Sequence, residues 1–421
     1  MNTEAALSSA LDGTMIIESG DERGEFAGML LASLGAEVIK LEGRGGSNSR
    51  RLGPFASSQR DPEQSLCFWR YNLGKKSVSL EVDHPAARGV LERLAKRADV
   101  ILDSGEAADV ERRLTLYRKL QTVNPRLIVC MLTPFGLDGP YRDLKMTDLT
   151  QLAMGGIMAS CGYDPQPDGV YDTPPIAPEM WQAYHIACEY AVIAITAALN
   201  FRELTGEGDC IDVSIHEAVS TCTEVALPSY IYNARVVQRQ TGRHAGEGRT
   251  LPWLRRTKDG RYVKAFMFWG RRDLRVIIEM LNEAGIAHDL ESAAYRELAE
   301  RSPSAAQAHF SATIDTLVAS LTAEEVFHRA QAKGLLWANV RYPEENIDDP
   351  HFQARGTFQP IYHRGLGRAL HSPVSVATDG RQRVTAFSHG APQLGEHTRE
   401  ILSQVGYNDA DISTLAAAGA I

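Results

Sequence analysis

Residues 24–51 read GEFAGMLLASLGAEVIKLEGRGGSNSRR, and this stretch decides how the N-terminal part of the chain folds. Apolar residues at spacings of three and four predict an amphipathic helix, with Phe26, Met29, Leu30 and Leu34 on one face. Gly35 follows where a helix end favours a positive φ. The apolar run at 38–41 predicts a buried strand, and the Gly- and Arg-rich residues 42–46 predict a basic loop. Together these elements form half of a nucleotide-type α/β unit.

The same alternation continues along the chain. We predict further strands near 14–17, 78–80, 100–102, 127–132 and 210–215, and helices at 84–97, 112–123 and 179–202. Strands that alternate with helices indicate a parallel sheet. No G-x-G-x-x-G or G-x-x-x-x-G-K-[ST] motif is present, so neither dinucleotide binding nor P-loop nucleotide binding is predicted.

Length and pattern predict more than one domain. The chain has 421 residues, more than one compact core usually holds. The pattern becomes irregular after residue 227, then forms a hairpin and several short helices up to residue 335. We therefore predict a smaller α+β domain at 228–335, between residues 1–227 and a C-terminal part at 336–421.

Composition favours a cytoplasmic protein without a metal site. The formal net charge of −9 argues against a nucleic-acid-binding protein. Six cysteines occur without a C-x-x-C pair, which is typical of core thiols in a reducing compartment. The N-terminus lacks the pattern of a signal peptide, and the apolar run at 190–199 is too short to span a membrane.

Seven segments occur in order along the chain: LLASLGAEVIKLE, YNLGKKSVSLEV, LAKRADVILD, NPRLIVCMLTPFGLDGPYRD, ALNFRELTGEGDCIDVSIHEAV, IDDPHFQARGTF and APQLGEHTREILSQVGY. Together they resemble the class III CoA-transferases, the family of formyl-CoA transferase, the carnitine/crotonobetaine CoA-transferases and the acyl-CoA racemases. The resemblance extends over residues 14–420.

This resemblance implies a fold and a reaction. The implied fold is α/β, with a large Rossmann-like domain formed by both chain ends, a smaller inserted α+β domain, and two copies interlocked as a homodimer. The implied substrates are an acyl-CoA and a free carboxylic acid, with coenzyme A carried as a thioester substrate and no other cofactor. In such transferases an enzyme carboxylate attacks the thioester, and an acyl anhydride and an enzyme–CoA thioester follow.

The position of that carboxylate is ambiguous in this chain. The family places an Asp at the start of the long helix before Thr205-Gly206, and counting back from there reaches Tyr184. Counting forward from Gly162 reaches residues 177–179 instead. Glu179 has the required chemistry, and we expect it at the helix N-terminus, where the dipole and free N–H groups stabilise negative charge. Glu179 as a simple helix cap is the alternative, and Asp172 is a second candidate nucleophile.

The resemblance also implies contacts with CoA. The first turn contributes Glu22 and Arg23, and the loop after the second strand contributes Arg44. Leu80 occupies the position of an adenine contact, while Asp83 and Ser104 stand where relatives carry a basic residue and Asn. Basic positions that meet the nucleotide and pantetheine correspond to Arg112 and Lys145.

Two other functions are compatible with the resemblance. A racemase or isomerase of acyl-CoA thioesters needs a His as its proton base, and the corresponding position here is Thr147. This residue counts against racemisation. A CoA-binding member without catalysis is the remaining alternative.

Overall fold

The computed structural model describes residues 9–105, 107–223, 225–266, 271–371, 387 and 389–421. These residues form two compact units. Unit 1 comprises the described residues within Met1–Gly156, Glu179–Cys222 and Pro350–Ile421, and unit 2 those within Ile157–Pro178 and Thr223–Asp349. Unit 2 thus includes residues 157–178 and 336–349 besides the range 228–335, and the domain boundaries drawn from sequence stay predictions.

The described residues contain thirteen strands, fifteen α-helices and five short 3-10 helices. The strands are β1 (Met15–Ser19), β2 (Glu37–Glu42), β3 (Lys76–Ser79), β4 (Val100–Asp103), β5 (Ile128–Thr133), β6 (Cys210–Ser214), β7 (Gln238–Gln240), β8 (Arg243–Gly246), β9 (Leu254–Arg256), β10 (Tyr262–Ala265), β11 (Trp337–Asn339), β12 (Gln359–His363) and β13 (Gly367–His371). The helices are α1 (Glu25–Ser33), α2 (Leu66–Tyr71), α3 (Ala87–Ala95), α4 (Val110–Val123), α5 (Asp148–Met154), α6 (Gln182–Thr205), α7 (Ile215–Thr221), α8 (Ala226–Asn233), α9 (Arg271–Glu283), α10 (Ala293–Arg301), α11 (Pro303–Ala319), α12 (Ala323–Ala332), α13 (Pro350–Ala354), α14 (Thr398–Gln404) and α15 (Asp409–Ala418).

Unit 1 is built on a six-stranded parallel sheet, as the alternating pattern predicted. The strand order is β3-β2-β1-β4-β5-β6, and every neighbouring pair is parallel. The chain moves outward from β1 to β3 and then returns to place β4 on the other side of β1. Such a reversal opens a crevice at the carboxyl ends of the two central strands, which is where α/β proteins bind ligands.

Both ends of the described chain contribute to the core of unit 1. One apolar cluster joins the sheet to α3 and α4 and includes Val78 and Leu94. Ile401 of α14 and Ile412 of α15 lie in the same cluster. Outside it, α1 and α6 contact each other and the strands β2, β5 and β6.

The opening stretch folds largely as its sequence predicts. Gly35 has a φ of 100° just after α1, and β2 follows at once. The predicted buried face of α1 is only partly correct, because Met29 is buried whereas Phe26 and Leu30 are half-exposed. Ala27 and Leu31 are fully buried instead, since α1 packs against both the sheet and α6.

Unit 2 is an α+β unit with its own core. A three-stranded antiparallel sheet has the order β11-β10-β9. Its apolar cluster includes Val263, Ile277, Ile314 and Trp337, contributed by the sheet and by α9 and α11. The described part of unit 2 therefore buries a separate set of apolar side chains.

Unit 1 also contains a network of fully buried charges that the sequence did not predict. Lys40 Nζ lies 2.9 Å from Glu18 Oε1 and 3.0 Å from Glu25 Oε1. Lys75 Nζ lies 2.6 Å from Glu18 Oε2 and donates to the Glu25 carbonyl at 2.8 Å. Burial opposes ionisation of Glu25, but the charges of Lys40 and Lys75 lower the pKa of this carboxyl to about 2. The network joins β1, β2, the start of α1 and the residue before β3.

Replacing Lys40 with Met is expected to lower the free energy of unfolding by about 3–5 kcal/mol, because it leaves Glu18 and Glu25 with an uncompensated buried charge. Urea unfolding followed by circular dichroism measures the loss. Lys76→Met is the matched control, since Lys76 pairs with Glu37 and Glu400 at the surface and should cost at most about 1 kcal/mol. Equal losses in the two variants would contradict the role of the buried network.

Candidate functional site

The loop between β1 and α1 lies at the crevice beside β4. Ser104, the first residue after β4, is buried, and its Oγ accepts a hydrogen bond from the Asp21 N–H at 3.2 Å. A Cβ added at Gly24 would lie 2.7 Å from both side-chain atoms of Ser104. The loop and the end of β4 are therefore in close contact, and only Gly fits at this position beside Ser104.

Two of the predicted CoA-binding residues lie in this loop. The Arg23 side chain is buried and donates from Nε to Asp21 Oδ1 at 2.8 Å. Glu22 Oε2 is buried and has no hydrogen-bond partner among the described residues. Burial, followed by the charge of Asp21, raises the pKa of Glu22 to about 7. The carboxyl of Glu22 is thus poised to accept or donate a proton near neutral pH, while Arg23 is already paired.

A cavity of about 790 Å³ opens between the residues before α3 and helix α4. Arg112, a predicted CoA-binding residue, lines it and forms an ion pair with Asp83. Arg88 and Lys119 add positive charge to the lining, and Glu111 adds negative charge. A phosphate that binds here must therefore compete with Asp83 for the Arg112 guanidinium.

Arg44, Leu80 and Lys145 lie in different environments. Arg44 is exposed, and its N–H donates to Glu81 Oε1 at 2.7 Å. Lys145 is exposed in the segment before α5. Leu80 is fully buried in the apolar cluster of unit 1, so the structure does not present it to an adenine ring. The roles of all three residues in CoA binding remain predictions.

The loop that carries Arg44 is held by buried polar side chains, which sequence reasoning missed. Arg50 is buried, and its Nε and Nη2 donate to the two oxygens of Glu42 at 2.7 and 2.8 Å. Ser47 and Ser49 donate their hydroxyls to Glu25 Oε1 at 2.8 and 2.6 Å. Residues 42–50 are therefore held against the first turn of α1, and the predicted basic loop is exposed to solvent mainly at its tip.

The start of α6 differs from the expectation. The helix begins at Gln182 after Trp181, which has a left-handed φ of 70°, so Glu179 lies three residues before it and is exposed. The Asp148 carboxylate accepts hydrogen bonds from the N–H groups of Trp181 at 3.1 Å and Tyr184 at 3.2 Å. Asp148 therefore occupies the helix N-terminus that we expected to serve Glu179.

Aromatic side chains surround this helix start. The Tyr71 hydroxyl and His185 Nε2 are 2.9 Å apart, and the rings of Phe26 and Trp181 lie against His185 and Tyr71 at centroid distances of 4.3 and 4.9 Å. Burial lowers the pKa of His185 to about 4, so its ring is neutral at pH 7. Burial is also the main cause that raises the pKa of Tyr71 to about 12, and the charge of Glu179 acts in the same direction.

The structure thus brings some predicted residues together and separates others. Cys188 of α6 donates to the Arg23 carbonyl at 3.1 Å, which fixes α6 against the β1–α1 loop. Burial raises the pKa of Tyr184 above its ordinary value. Of the nearby charges, Arg23 lowers this pKa and Glu22 raises it. Asp172 belongs to unit 2 and is an exposed acceptor for Gln166 Nε2 at 2.6 Å.

The model of one protein family, CoA-transferase family III, matches residues 11–398 of this chain. The chain belongs to CoA-transferase family III.

Relatives in this family are similar over almost their whole length. The chain is 27% identical to succinyl-CoA:(R)-benzylsuccinate CoA-transferase subunit BbsE of Thauera aromatica, over 96% of this chain and 97% of the relative. It is 29% identical to the succinyl-CoA–L-malate CoA-transferase beta subunit of Chloroflexus aurantiacus, over 93% and 92% of the two chains. Formyl-CoA:oxalate CoA-transferase of Streptomyces avermitilis is 26% identical, over 99% and 100%.

Solved structures share the fold of this family III chain. A CaiB/BaiF family protein from Brucella suis superimposes with a TM-score of 0.77 at 23% identity, over 94% of this chain and all of that chain. Rv3272 from Mycobacterium tuberculosis gives a TM-score of 0.71 at 25% identity, over 94% and 99%. The predicted family and the α/β fold with a parallel sheet are confirmed.

Close packing at the β1–α1 loop can be tested with a pair of substitutions. Gly24→Ala should lower the free energy of unfolding by about 1–3 kcal/mol, because the new methyl group overlaps the Ser104 side chain. In a Ser104→Gly background the same substitution should cost almost nothing, since both overlapping atoms are gone. Chemical denaturation of the four proteins measures the coupling. A Gly24→Ala cost that is the same in both backgrounds would show that Ser104 is not the obstacle.

Proposed function

We propose that this chain transfers CoA from an acyl-CoA thioester to a free carboxylic acid. The observation that carries the proposal is the family III match over residues 11–398. It is supported by relatives named as CoA-transferases that align over more than nine-tenths of both chains. The crevice at the carboxyl ends of β1 and β4 lies where an α/β sheet binds its ligand.

The proposed reaction proceeds through an enzyme carboxylate. Its oxygen attacks the thioester carbonyl, the C–S bond breaks, and a mixed anhydride and the CoA thiolate form. The thiolate then attacks the enzyme side of the anhydride, which yields an enzyme–CoA thioester and the free donor acid. The acceptor carboxylate repeats the two steps in the opposite direction, so electrons and atoms balance without another reactant.

Glu179 is the candidate for this carboxylate. It is exposed and lies outside α6, so its oxygens are accessible to a substrate. The oxygens of a helix-capping carboxylate would instead be bound to backbone N–H groups. The N–H groups at the helix N-terminus are bound to Asp148, so they do not supply the oxyanion site that the sequence suggested. The Tyr71 hydroxyl is in electrostatic reach of Glu179, and it is the proposed donor to the developing oxyanion. Tyr184 has no carboxylate, and Asp172 remains the second candidate.

Coenzyme A is proposed to enter as a substrate, with no separate cofactor. Its nucleotide is proposed to bind in the cavity lined by Arg112, where basic side chains can bind phosphate. The exposed cations Arg44 and Lys145 are proposed to bind the phosphates or pantetheine. The Thr147 hydroxyl caps α5 and has no basicity for removing an α-proton, which disfavours the racemase alternative.

The proposed assembly is an interlocked cytoplasmic homodimer. Helix α6 exposes an apolar stripe at spacings of three and four, formed by Tyr190, Ile193, Ala197, Phe201 and Leu204. Such a stripe is typical of a helix that packs against another helix. By length and composition α6 would also suffice to cross a membrane, with mean hydropathy 1.2, but its other face packs on β5 and β6. Because two relatives are named alpha and beta subunits, a paralogous partner is the alternative.

The transfer mechanism predicts a covalent intermediate. When the enzyme is incubated with acyl-CoA alone, the mass of CoA should appear on one peptide, and borohydride should reduce the labelled carboxyl to an alcohol at Glu179. Glu179→Gln should abolish labelling and transfer because an amide cannot form the anhydride, while CoA binding persists. Peptide mass spectrometry and a CoA-exchange assay provide the two measurements.

Glu189→Gln is the control for this experiment, because Glu189 is an exposed glutamate of α6 itself and should keep full activity. Full activity in Glu179→Gln would move the nucleophile elsewhere, with Asp172→Asn as the next variant. Failure of the wild type to label or to exchange CoA with any acid would leave the binding-only alternative.

The proposed homodimer predicts that a charge on the α6 stripe weakens assembly. The wild type should remain dimeric at nanomolar concentration, because parting interlocked chains requires unfolding. Ile193 has 65% of its surface exposed. The Ile193→Asp variant should therefore show a larger monomer fraction than the wild type. Mass photometry measures the fractions, and Val123→Asp serves as a control at an exposed apolar residue of α4. A folded wild-type monomer at micromolar concentration would contradict the proposal.

A further inference from the structure

Arg70 is a half-buried guanidinium that carries out none of the roles assigned so far. It lies in the last turn of α2, next to Tyr71. Among the described residues it forms no ion pair, and its one hydrogen bond runs from Nη1 to the thioether sulfur of Met29 at 3.4 Å. Its Cζ lies 5.7 Å from the centroid of the Tyr71 ring. A thioether is a weak acceptor, so within the described part of the chain the charge lacks the anionic partner that a desolvated guanidinium normally has.

The missing counter-ion distinguishes Arg70 from the fully buried cations of unit 1. Burial lowers the pKa of Arg70, yet an arginine stays protonated in proteins. Arg50 and Lys40, in contrast, are each paired with glutamates at 3.0 Å or less. A buried charge without a counter-ion destabilises the folded protein, so the geometry at Arg70 favours a ligand that supplies the missing anion.

The surroundings of Arg70 connect it to the proposed nucleophile. The neighbouring Tyr71 hydroxyl contacts His185 and is within electrostatic reach of Glu179. Burial is the main cause that lowers the pKa of His185 and of His371. The positive charge of Arg70 lowers both pKa values further. The His185 imidazole is therefore neutral at pH 7, whereas the Arg70 guanidinium stays positively charged.

We propose that Arg70 binds the second carboxylate of a dicarboxylic acid, so that dicarboxylic acids and their CoA half-thioesters are the substrate class of this protein. The planar fork of a guanidinium matches a carboxylate with two parallel hydrogen bonds. One carboxyl group of the substrate reacts at Glu179 while the other rests on Arg70, and Tyr71 is adjacent to Arg70 and within electrostatic reach of Glu179. This inference rests on the proposed function, because it assumes that CoA esters bind beside α2 and α6.

Binding of two unreactive thioethers tests the inference without turnover. S-(3-Carboxypropyl)-CoA and S-butyl-CoA carry four-carbon chains that differ in a terminal carboxylate. Calorimetry should show that the wild type binds the carboxylate ligand more tightly. Arg70→Met should weaken the binding of the carboxylate ligand by about 10–100-fold, as expected for a charged hydrogen bond. The same substitution should change the affinity for S-butyl-CoA by less than about twofold. Arg70→Lys, which keeps the charge without the fork, should recover part of the loss.

Controls separate this role from a structural one. Arg126→Met removes an exposed guanidinium already paired with Glu203 and should leave both affinities unchanged. Arg70→Met should keep its thermal midpoint or raise it, since no ion pair is lost. Equal weakening of the two ligands by Arg70→Met, or no preference in the wild type, would overturn the inference.

An activity assay distinguishes the two proposals. With succinyl-CoA as donor, the wild type should use glutarate with a higher kcat/KM than valerate, and Arg70→Met should remove this preference. If the wild type transfers CoA to neither acid while the binding preference persists, the proposed function fails and the role of Arg70 stands. If it transfers CoA equally well to both acids and Arg70→Met changes neither rate, the role of Arg70 fails and the proposed function stands.

Discussion

The buried ion network of Glu18, Lys40, Lys75 and Glu25 is the constraint on which the rest of unit 1 depends. Charges with side-chain exposures of at most 2% are stable only when each has a partner in fixed geometry. Glu25 is the first residue of α1, and it also receives the hydroxyls of the loop after β2. The network therefore sets both loops of the crevice, the one after β1 and the one after β2, relative to the sheet.

Sequence periodicity was sufficient to predict the helices and strands of the parallel sheet. It was insufficient to predict the buried ion pairs that connect them. Alternating helices and strands predicted the parallel sheet, and Gly35 marked the end of α1, because local sterics and period determine both. Lys40 lies within an apolar strand, where the same pattern favours an outward-facing charge. Its partner Glu18 is twenty-two residues away, and no local rule connects two such positions.

The start of α6 shows why the candidate nucleophile was misplaced relative to its helix. Pro178 and Glu179 form a sequence typical of a helix first turn, yet the helix begins three residues later. The decisive group is the Asp148 carboxylate, thirty-three residues before Trp181. It holds the N–H groups at the true start, and Trp181 adopts a left-handed conformation that is unfavourable for a bulky residue. Only tertiary contacts stabilise that arrangement.

Two kinds of charge coexist in unit 1, and the contrast connects stability with chemistry. The paired charges, such as Arg50 with Glu42, hold loops in place and have no capacity left for a substrate. Glu22 and Arg70 lack such partners among the described residues, so each remains available for a ligand. An unpaired desolvated group destabilises the folded protein. Binding of an oppositely charged ligand, or transfer of a proton, offsets this destabilisation. The strongly paired network beneath makes that cost tolerable, because it keeps the loops in place while the unpaired groups are empty.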